Sequence, residues 1–252
     1  HTQAGLVAGT SFASPAALRL ALGVRAHFGD SLSPLAIKAL LIHSSSEGDL
    51  ERYEQGWGRI AGSVEDLVIC PDNAARIVYQ GELHPAQYLR AQVPLPDAPL
   101  QGNVNVTTTI CYATSVDPED PGSYTRSGLE VVFRPHSEKF KDDDAHHPQT
   151  DSFFQLRDYS TEKERRRDAH KWETVLHRMK TKRGSSLKNP VFDIHFAPRA
   201  SGRPVFTSDK IRYAIVITVE SPRTVDLYDR IVQRYRTQIR PLTPLIQIPI
   251  RT

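Results

Sequence analysis

The residues best placed to do chemistry lie in one short run near the start of the chain, Gly9-Thr10-Ser11-Phe12-Ala13-Ser14-Pro15. Gly9 permits backbone angles that are closed to other residues, and proline is tolerated in the first turn of a helix. A long apolar helical pattern follows directly, so we expect Ser11 to lie exposed at a helix N-terminus. The first N–H groups of a helix have no partner within it and can face an anion. This geometry suits a serine whose attack on a carbonyl creates an oxyanion, because the serine's own N–H can help to hold that charge.

These seven residues resemble the serine motif of the subtilisin-like serine proteases (subtilases, peptidase S8 family), Gly-Thr-Ser-hydrophobic-Ala-(Ser/Thr)-Pro. All seven positions fit, with Phe12 in the hydrophobic position that is usually Met. The resemblance implies that Ser11 is the acylating nucleophile and that its N–H is one oxyanion donor. It also implies that Gly9 and Thr10 shape the substrate cleft beside the scissile residue.

Subtilases carry their Asp, their His and the oxyanion Asn before the serine, and the ten residues before Ser11 cannot hold those elements. We therefore expect this chain to be the C-terminal part of a longer protease. The same reasoning predicts that the chain is inactive by itself, because without the His the hydroxyl of Ser11 keeps its high pKa.

Residues 15–28 are apolar on nearly every side, which predicts a helix buried in a core that ends at Gly29-Asp30. Sixteen residues separate Ser11 from His27, or about 24 Å along a helix, so we interpret His27 as structural. If much of the protease sheet is absent, we expect exposed apolar surface around Leu18, Leu22, Ile37 and Leu41.

A second helix is predicted from Pro34, capped by Ser31 or Ser33, and it ends at His43-Ser44-Ser45-Ser46. His43 lies where the helix dipole favours a cation, and we read it as structural. The segment 55–64 resembles the Gly-aromatic-Gly-hydrophobic stretch that closes the subtilase catalytic domain and the short helix after it. We interpret Trp57 there as a core anchor rather than a ligand site.

The resemblance ends near Cys70-Pro71, so we divide the chain into a subtilase part, residues 1–70, and a second domain, residues 71–252. Period-two alternation in the second domain predicts about seven strands and an antiparallel β-sandwich, a domain that subtilases often carry after the protease domain. The clearest apolar faces comprise Val104, Val106, Thr108, Ile110 and Tyr112; Ile211, Tyr213, Ile215, Ile217 and Val219; Leu129, Val131 and Phe133; and Phe192, Ile194 and Phe196. Weaker runs lie at 75–82, 86–94 and 171–180. The predicted fold class is thus the C-terminal part of an α/β subtilisin-like catalytic domain followed by a mainly antiparallel β-sandwich.

A polar insertion near 135–170 interrupts the strands and predicts a long exposed loop or a partly disordered segment. Its run Asp142-Asp143-Asp144-Ala145-His146-His147 contains metal-ligating residue types, but we read it as a solvated polar stretch and predict neither a metal nor a cofactor. We predict a helix over 225–235 with Leu227, Ile231 and Tyr235 inward, and a last edge strand over 245–250.

Charge and composition exclude little. Residues 157–183 hold ten Lys or Arg against five Asp or Glu, and residues 223–240 hold five Arg against two Asp. Because no aromatic-rich recognition motif accompanies this charge, it indicates a solvated face or a protein partner more than nucleic acid. Two cysteines give no disulfide framework, so we expect a reducing, intracellular setting, and no apolar run is long enough to span a membrane. The resemblance to subtilases implies that this setting is a bacterial cytoplasm, with secretion as the alternative.

The leading interpretation is a serine endopeptidase that acts on a protein or peptide substrate. The pairing of a subtilase end with a charged β-domain also resembles the protease component of two-component bacterial anti-phage systems, in which the partner is a AAA-type ATPase. The alternative is a non-catalytic protein of subtilase fold whose β-domain is a protein-binding module.

Overall fold

Seven β-strands form two antiparallel sheets in the computed structural model, which describes residues 9–50, 52–121, 124–142, 144–154, 172–199 and 209–242. One sheet has the strand order β1-β7-β3-β5 and the other β2-β6-β4. The bounds are β1 Ala74–Leu83, β2 Tyr88–Gln92, β3 Asn103–Ala113, β4 Ser127–Arg134, β5 Val175–Arg183, β6 Val191–Pro198 and β7 Ile211–Glu220. The mainly antiparallel β-sandwich expected from the alternation is confirmed.

The two sheets enclose one core. The predicted inward residues of β3 and β7 lie in it, among them Val106, Ile110 and Ile215. Phe133 on β4, Phe192 on β6 and Phe153 pack with ring centroids 4.7–5.0 Å apart. Aromatic rings at these separations add attraction beyond the area that they bury.

The described part of the insertion near 135–170 is mostly an exposed loop, with residues 138–142 all exposed. Its end departs from that prediction: Phe153 is buried between the sheets, and Asp151 pairs with Phe133 as an isolated bridge. Phe153 thus returns this segment to the core. Residues 155–171 of the insertion lie outside the described residues.

Four helices precede the strands and one follows them within the described ranges: α1 Thr10–Phe28, α2 Pro34–His43, α3 Arg52–Gln55, α4 Val64–Val68 and α5 Leu227–Tyr235. The side chain of Ser33 caps α2, since its Oγ accepts from the N–H of Ala36 at 3.2 Å. Gly29 ends α1 with φ 53°, as expected for a C-terminal glycine. The predicted inward residues of α5 are buried as expected, and the predicted strand over 245–250 falls outside the described part.

Helices α1, α2 and α4 form a third layer on the outer face of the four-stranded sheet. Ile37 and Leu40 of α2 are buried in one cluster with Cys111 of β3 and Ala214 and Val216 of β7. Strands β3 and β7 are thus covered on both faces, which explains why their sequences are apolar or uncharged at nearly every position. Residues from before and after position 70 therefore share a single apolar cluster.

The prediction that α1 is buried on nearly every side is wrong. Only Val24 and Phe28 are buried, both in its C-terminal half, where α1 contacts α2 and α4. Leu18 and Leu22 are 58% and 59% exposed, which confirms the expected apolar surface at those two positions. Ile37 is instead buried, because α2 presents it to the sheet.

Leu41, the fourth residue of the expected apolar surface, is half-buried. It packs at the edge of the cluster that α2 forms with the sheet. The uncovered apolar surface therefore belongs to α1, and α2 contributes little to it.

Candidate functional site

Ser11 is the second residue of α1, at the helix N-terminus that the motif predicts. The turn before it depends on Gly9, whose φ of 145° is a conformation that L side chains rarely adopt. The carbonyl of Gly9 accepts hydrogen bonds from the N–H groups of Phe12 and Ala13, both at 3.1 Å. The N–H of Ser11 lies in the first turn, where no earlier helical carbonyl is available to accept from it.

Ser11 lies on the uncovered side of α1. At 100° per residue, Leu18 and Leu22 project within about 20° of the direction of Ser11 around the helix axis. Val24 and Phe28 project to the opposite half and are buried against α2. Gly9, Thr10 and Ser11 are all exposed. The hydroxyl therefore stands at one end of an apolar, solvent-exposed face that points away from the sandwich.

The histidines of the helical layer are engaged elsewhere. The Nδ1 of His27 lies 2.8 Å from the carbonyl oxygen of Gly23, one turn earlier in α1. Both ring nitrogens of His43 contact threonine hydroxyls of the sheet. Neither histidine serves as a base for Ser11, in agreement with the structural role that the sequence predicts for both.

The expectation that the end of α2 favours a cationic His43 is wrong. His43 is 7% exposed, and its Nδ1 and Nε2 lie 2.8 Å and 2.7 Å from the Oγ1 atoms of Thr109 and Thr218. Burial above all, together with the charges of Arg76 and His177, holds the pKa of His43 well below its usual value. At neutral pH the ring is uncharged, so desolvation outweighs the helix dipole.

This contact is the middle of a longer polar chain that the sequence does not reveal. The Oγ1 of Thr109 lies 2.7 Å from the Nδ1 of His177, and the Nε of Arg76 donates to the Oγ1 of Thr218 at 3.1 Å. Arg76 also donates to the carbonyl of Leu67 through Nη1. The available sequence signal was a histidine at the end of an apolar helix together with threonines in two buried strands, and it specifies no pairing.

The loop around Trp57 is tight. Gly56 and Gly58 have φ values of 64° and 95°, and a Cβ on Gly58 would lie 2.1 Å from the carbonyl oxygen of Ser46. The ring of Trp57 is half-buried and meets that of His177 edge to face, with centroids 5.6 Å apart. Trp57 thus packs against the polar chain.

A cluster of charged side chains around the buried Asp193 lies on the outer face of the three-stranded sheet. The side chain of Asp193 is 5% exposed and accepts from Nε of Arg90 at 2.6 Å and from Nε of Arg134 at 2.9 Å. Burial raises the pKa of Asp193, but the hydrogen bonds from the two arginines outweigh it and lower the pKa overall. Tyr88 stacks on His195 beside this cluster with centroids 5.6 Å apart.

The basic segment 223–240 lines a shallow groove between α5 and residues 96–98. Two of its five arginines are bound within the chain: Arg234 donates to the carbonyls of Leu95 and Pro96 and pairs with Asp97, and Arg230 pairs with Asp226. Most of the other predicted basic segment, 157–183, lies outside the described residues. Within the described ranges, which omit Asp143, no group of three or more His, Cys, Asp or Glu could hold a metal ion.

Comparisons with known proteins assign the chain to no family. No protein-family model matches the chain, and no curated protein matches it. Matching solved structures include the infectious bursal disease virus VP2 subviral particle, with TM-score 0.32 and 8% identity over 62% of this chain and 36% of that chain. The Gt strain of the same virus gives TM-score 0.33 and 9% identity over 63% and 35%. The chain spans about a third of the length of these proteins, and TM-scores below 0.5 carry no argument about fold or function.

None of the described helices combines the length and apolar character that a membrane-spanning helix requires.

Proposed function

We propose that this chain carries the nucleophile of a subtilisin-type serine endopeptidase, which hydrolyses peptide bonds through an acyl-enzyme on Ser11. The observation that supports the proposal is the complete seven-residue serine motif at the start of α1, with its hydroxyl exposed in the first helical turn. The positive φ of Gly9 gives a physical reason for glycine at the first motif position.

In the proposed reaction the Oγ of Ser11 bonds to the scissile carbonyl carbon while a histidine takes its proton. The histidine then gives that proton to the leaving amine as the C–N bond breaks, and water later releases the acyl group. The N–H of Ser11 and an asparagine amide hold the oxyanion. The proposal requires a histidine, its aspartate and an asparagine that are not among the described residues around Ser11, and it places them against the exposed face of α1 beside Leu18 and Leu22. The partners are a protein or peptide substrate and, by resemblance, an ATPase.

Fluorophosphonate labelling of the complete protein, as its gene encodes it, tests this proposal. The reagent bonds to activated serines, so the wild-type protein should be labelled and Ser11→Ala should not. Ser185→Ala is the matched control, because Ser185 is an exposed serine far along the chain and its loss should leave labelling unchanged. A folded wild-type protein that resists the probe would exclude hydrolysis at Ser11.

The alternative proposal is a non-catalytic protein whose β-domain binds another protein. The observation that favours it is the aromatic pair on the outer face of the three-stranded sheet, where Tyr88 is 62% exposed and stacks on His195. Exposed tyrosine is enriched in protein interfaces. Under this alternative, Tyr88→Ala abolishes binding of the ATPase while Ser11→Ala has no effect on any function of the protein.

A further inference from the structure

Five polar residues form one row across the four-stranded sheet, each from a different element. In strand order they are Arg76 on β1, Thr218 on β7, Thr109 on β3 and His177 on β5, with His43 of α2 inserted between the two threonines. Arg76 and Thr218 are direct cross-strand partners, and so are Thr109 and His177. The helical layer is therefore joined to all four strands by a single hydrogen-bonded chain.

The direction of this chain follows from counting protons. Arginine can only donate, so the Oγ1 of Thr218 accepts from Arg76. Among the described residues the other partner of that hydroxyl is the Nε2 of His43, so its O–H donates there and Nε2 carries no proton. A neutral imidazole then has its proton on Nδ1, which donates to Thr109. The O–H of Thr109 in turn donates to the Nδ1 of His177.

We propose that this hydrogen-bonded chain of five side chains is a pH-sensitive latch. It holds the helical layer on the β-sandwich only while His43 is neutral with its proton on Nδ1. A proton added to Nε2 removes the acceptor of the Thr218 hydroxyl. It also places a positive charge in a buried site that already faces Arg76. Both effects oppose docking of the α2 end against the sheet.

No group in the described part of the chain compensates for that charge on His43. Among the described residues, the charged or titratable groups that act on His43 are Arg76 and His177, and both disfavour its protonated form. Its contacts on β3 and β7 are the neutral hydroxyls of Thr109 and Thr218. The pKa of the Cys70 thiol, which lies beside Arg76, is raised by burial against the effect of that arginine, so this thiol supplies no negative charge at neutral pH.

The sign of the pH effect follows from linkage. The pKa of His43 is lower when α2 is docked than when it is free, so the undocked state binds a proton that the docked state does not. Docking is therefore at full strength above about pH 6.5 and weakens as the pH falls from there to the pKa of the docked form. One proton gives at most a tenfold loss in the docking equilibrium per pH unit in that window. This latch acts whether or not Ser11 is catalytic.

Two measurements on the intact 252-residue chain test the latch. Nitrogen-15 NMR of the imidazoles at pH 7.5 should show the Nδ1–H tautomer for His43 and the Nε2–H tautomer for His177. Hydrogen exchange, corrected for its intrinsic pH dependence, should show protection of amides 40–46 falling several-fold between pH 6.5 and 5.5. Amides of β4 and β6, in the other sheet, should not change.

Matched variants separate the latch from general acid sensitivity. His43→Gln retains one donor and one acceptor but cannot ionise, so protection at 40–46 should become independent of pH. His27→Gln removes a half-buried histidine of α1 and should keep the wild-type pH dependence. An Nε2–H tautomer for His43, or the same loss of protection in His43→Gln, would overturn the proposal. If His43→Gln does not fold, the tautomers of the wild-type protein still decide.

Discussion

The exposed apolar face of α1 should make the chain associate, and the structure sets the size of the effect. Leu18 and Leu22 on this face are 58% and 59% exposed, and Phe12, which projects about 100° from the direction of Ser11 around the helix axis, is 57% exposed. Full burial of such a side chain is worth about 1.5–3 kcal/mol, so covering the remaining surface contributes about 1–2 kcal/mol per residue. The double variant Leu18→Glu/Leu22→Lys removes two of the three and should lower the association constant by roughly two decades, at 1.4 kcal/mol per decade.

The fold should tolerate this variant. Both positions are exposed, glutamate and lysine form helices nearly as well as leucine, and Glu at 18 with Lys at 22 makes a favourable i,i+4 pair. Sedimentation velocity over a concentration series and binding of a hydrophobic dye measure the effect. Val225→Glu is the control, because Val225 is 77% exposed but lies far from α1 in the sequence. The reasoning would be refuted if the wild-type chain stayed monomeric over a 100-fold range of concentration and did not bind the dye.

Two further substitutions test the interior. Asp193→Asn should lower the free energy of unfolding, measured by urea denaturation, by about 2 kcal/mol, a value discounted because Arg90 is half exposed. Folding lowers the pKa of Asp193, so the wild-type protein should be more stable than the variant above about pH 4. This difference in stability should disappear as the pH falls through the pKa of Asp193 in the folded protein. Thr108→Val should raise the free energy of unfolding by about 1 kcal/mol, because the Oγ1 of Thr108 is buried and has no hydrogen-bond partner in the described part of the chain. An unchanged or lower midpoint of urea denaturation would show that this hydroxyl does have a hydrogen-bond partner.

Much of the architecture could be predicted because alternation is local information. Each of the seven strands predicted between residues 75 and 219 coincides with an observed one, since the inward-facing residues of β3, β6 and β7 recur at every second position. The same rule could not predict the second covered face of β3 and β7. In the sequence, Thr109 and Cys111 resemble the solvent-facing side of an ordinary strand. They are buried because α2, which ends 66 residues before Thr109 in the sequence, packs on that face.

The candidate nucleophile could be found from the sequence because its motif is contiguous, whereas the polar chain could not. His43, Thr109 and Thr218 are dispersed along the chain, and each has an ordinary explanation when taken singly. The misjudged charge of His43 has the same origin: the dipole of α2 is visible in the sequence, but the desolvation that outweighs it depends on strands that come later.

The apolar character of α1 is the sequence feature that its present surroundings explain least. A helix in contact with neighbours on one side requires about one apolar stripe, which Val24 and Phe28 provide here. Leu18 and Leu22 form a second stripe on the far side, and Ser11 lies at its end. Two stripes on opposite sides are the pattern of a helix that packs between two layers. The proposed protease and the predicted association therefore depend on the same surface, and a partner that covers it would contact the α1 face next to the Ser11 hydroxyl.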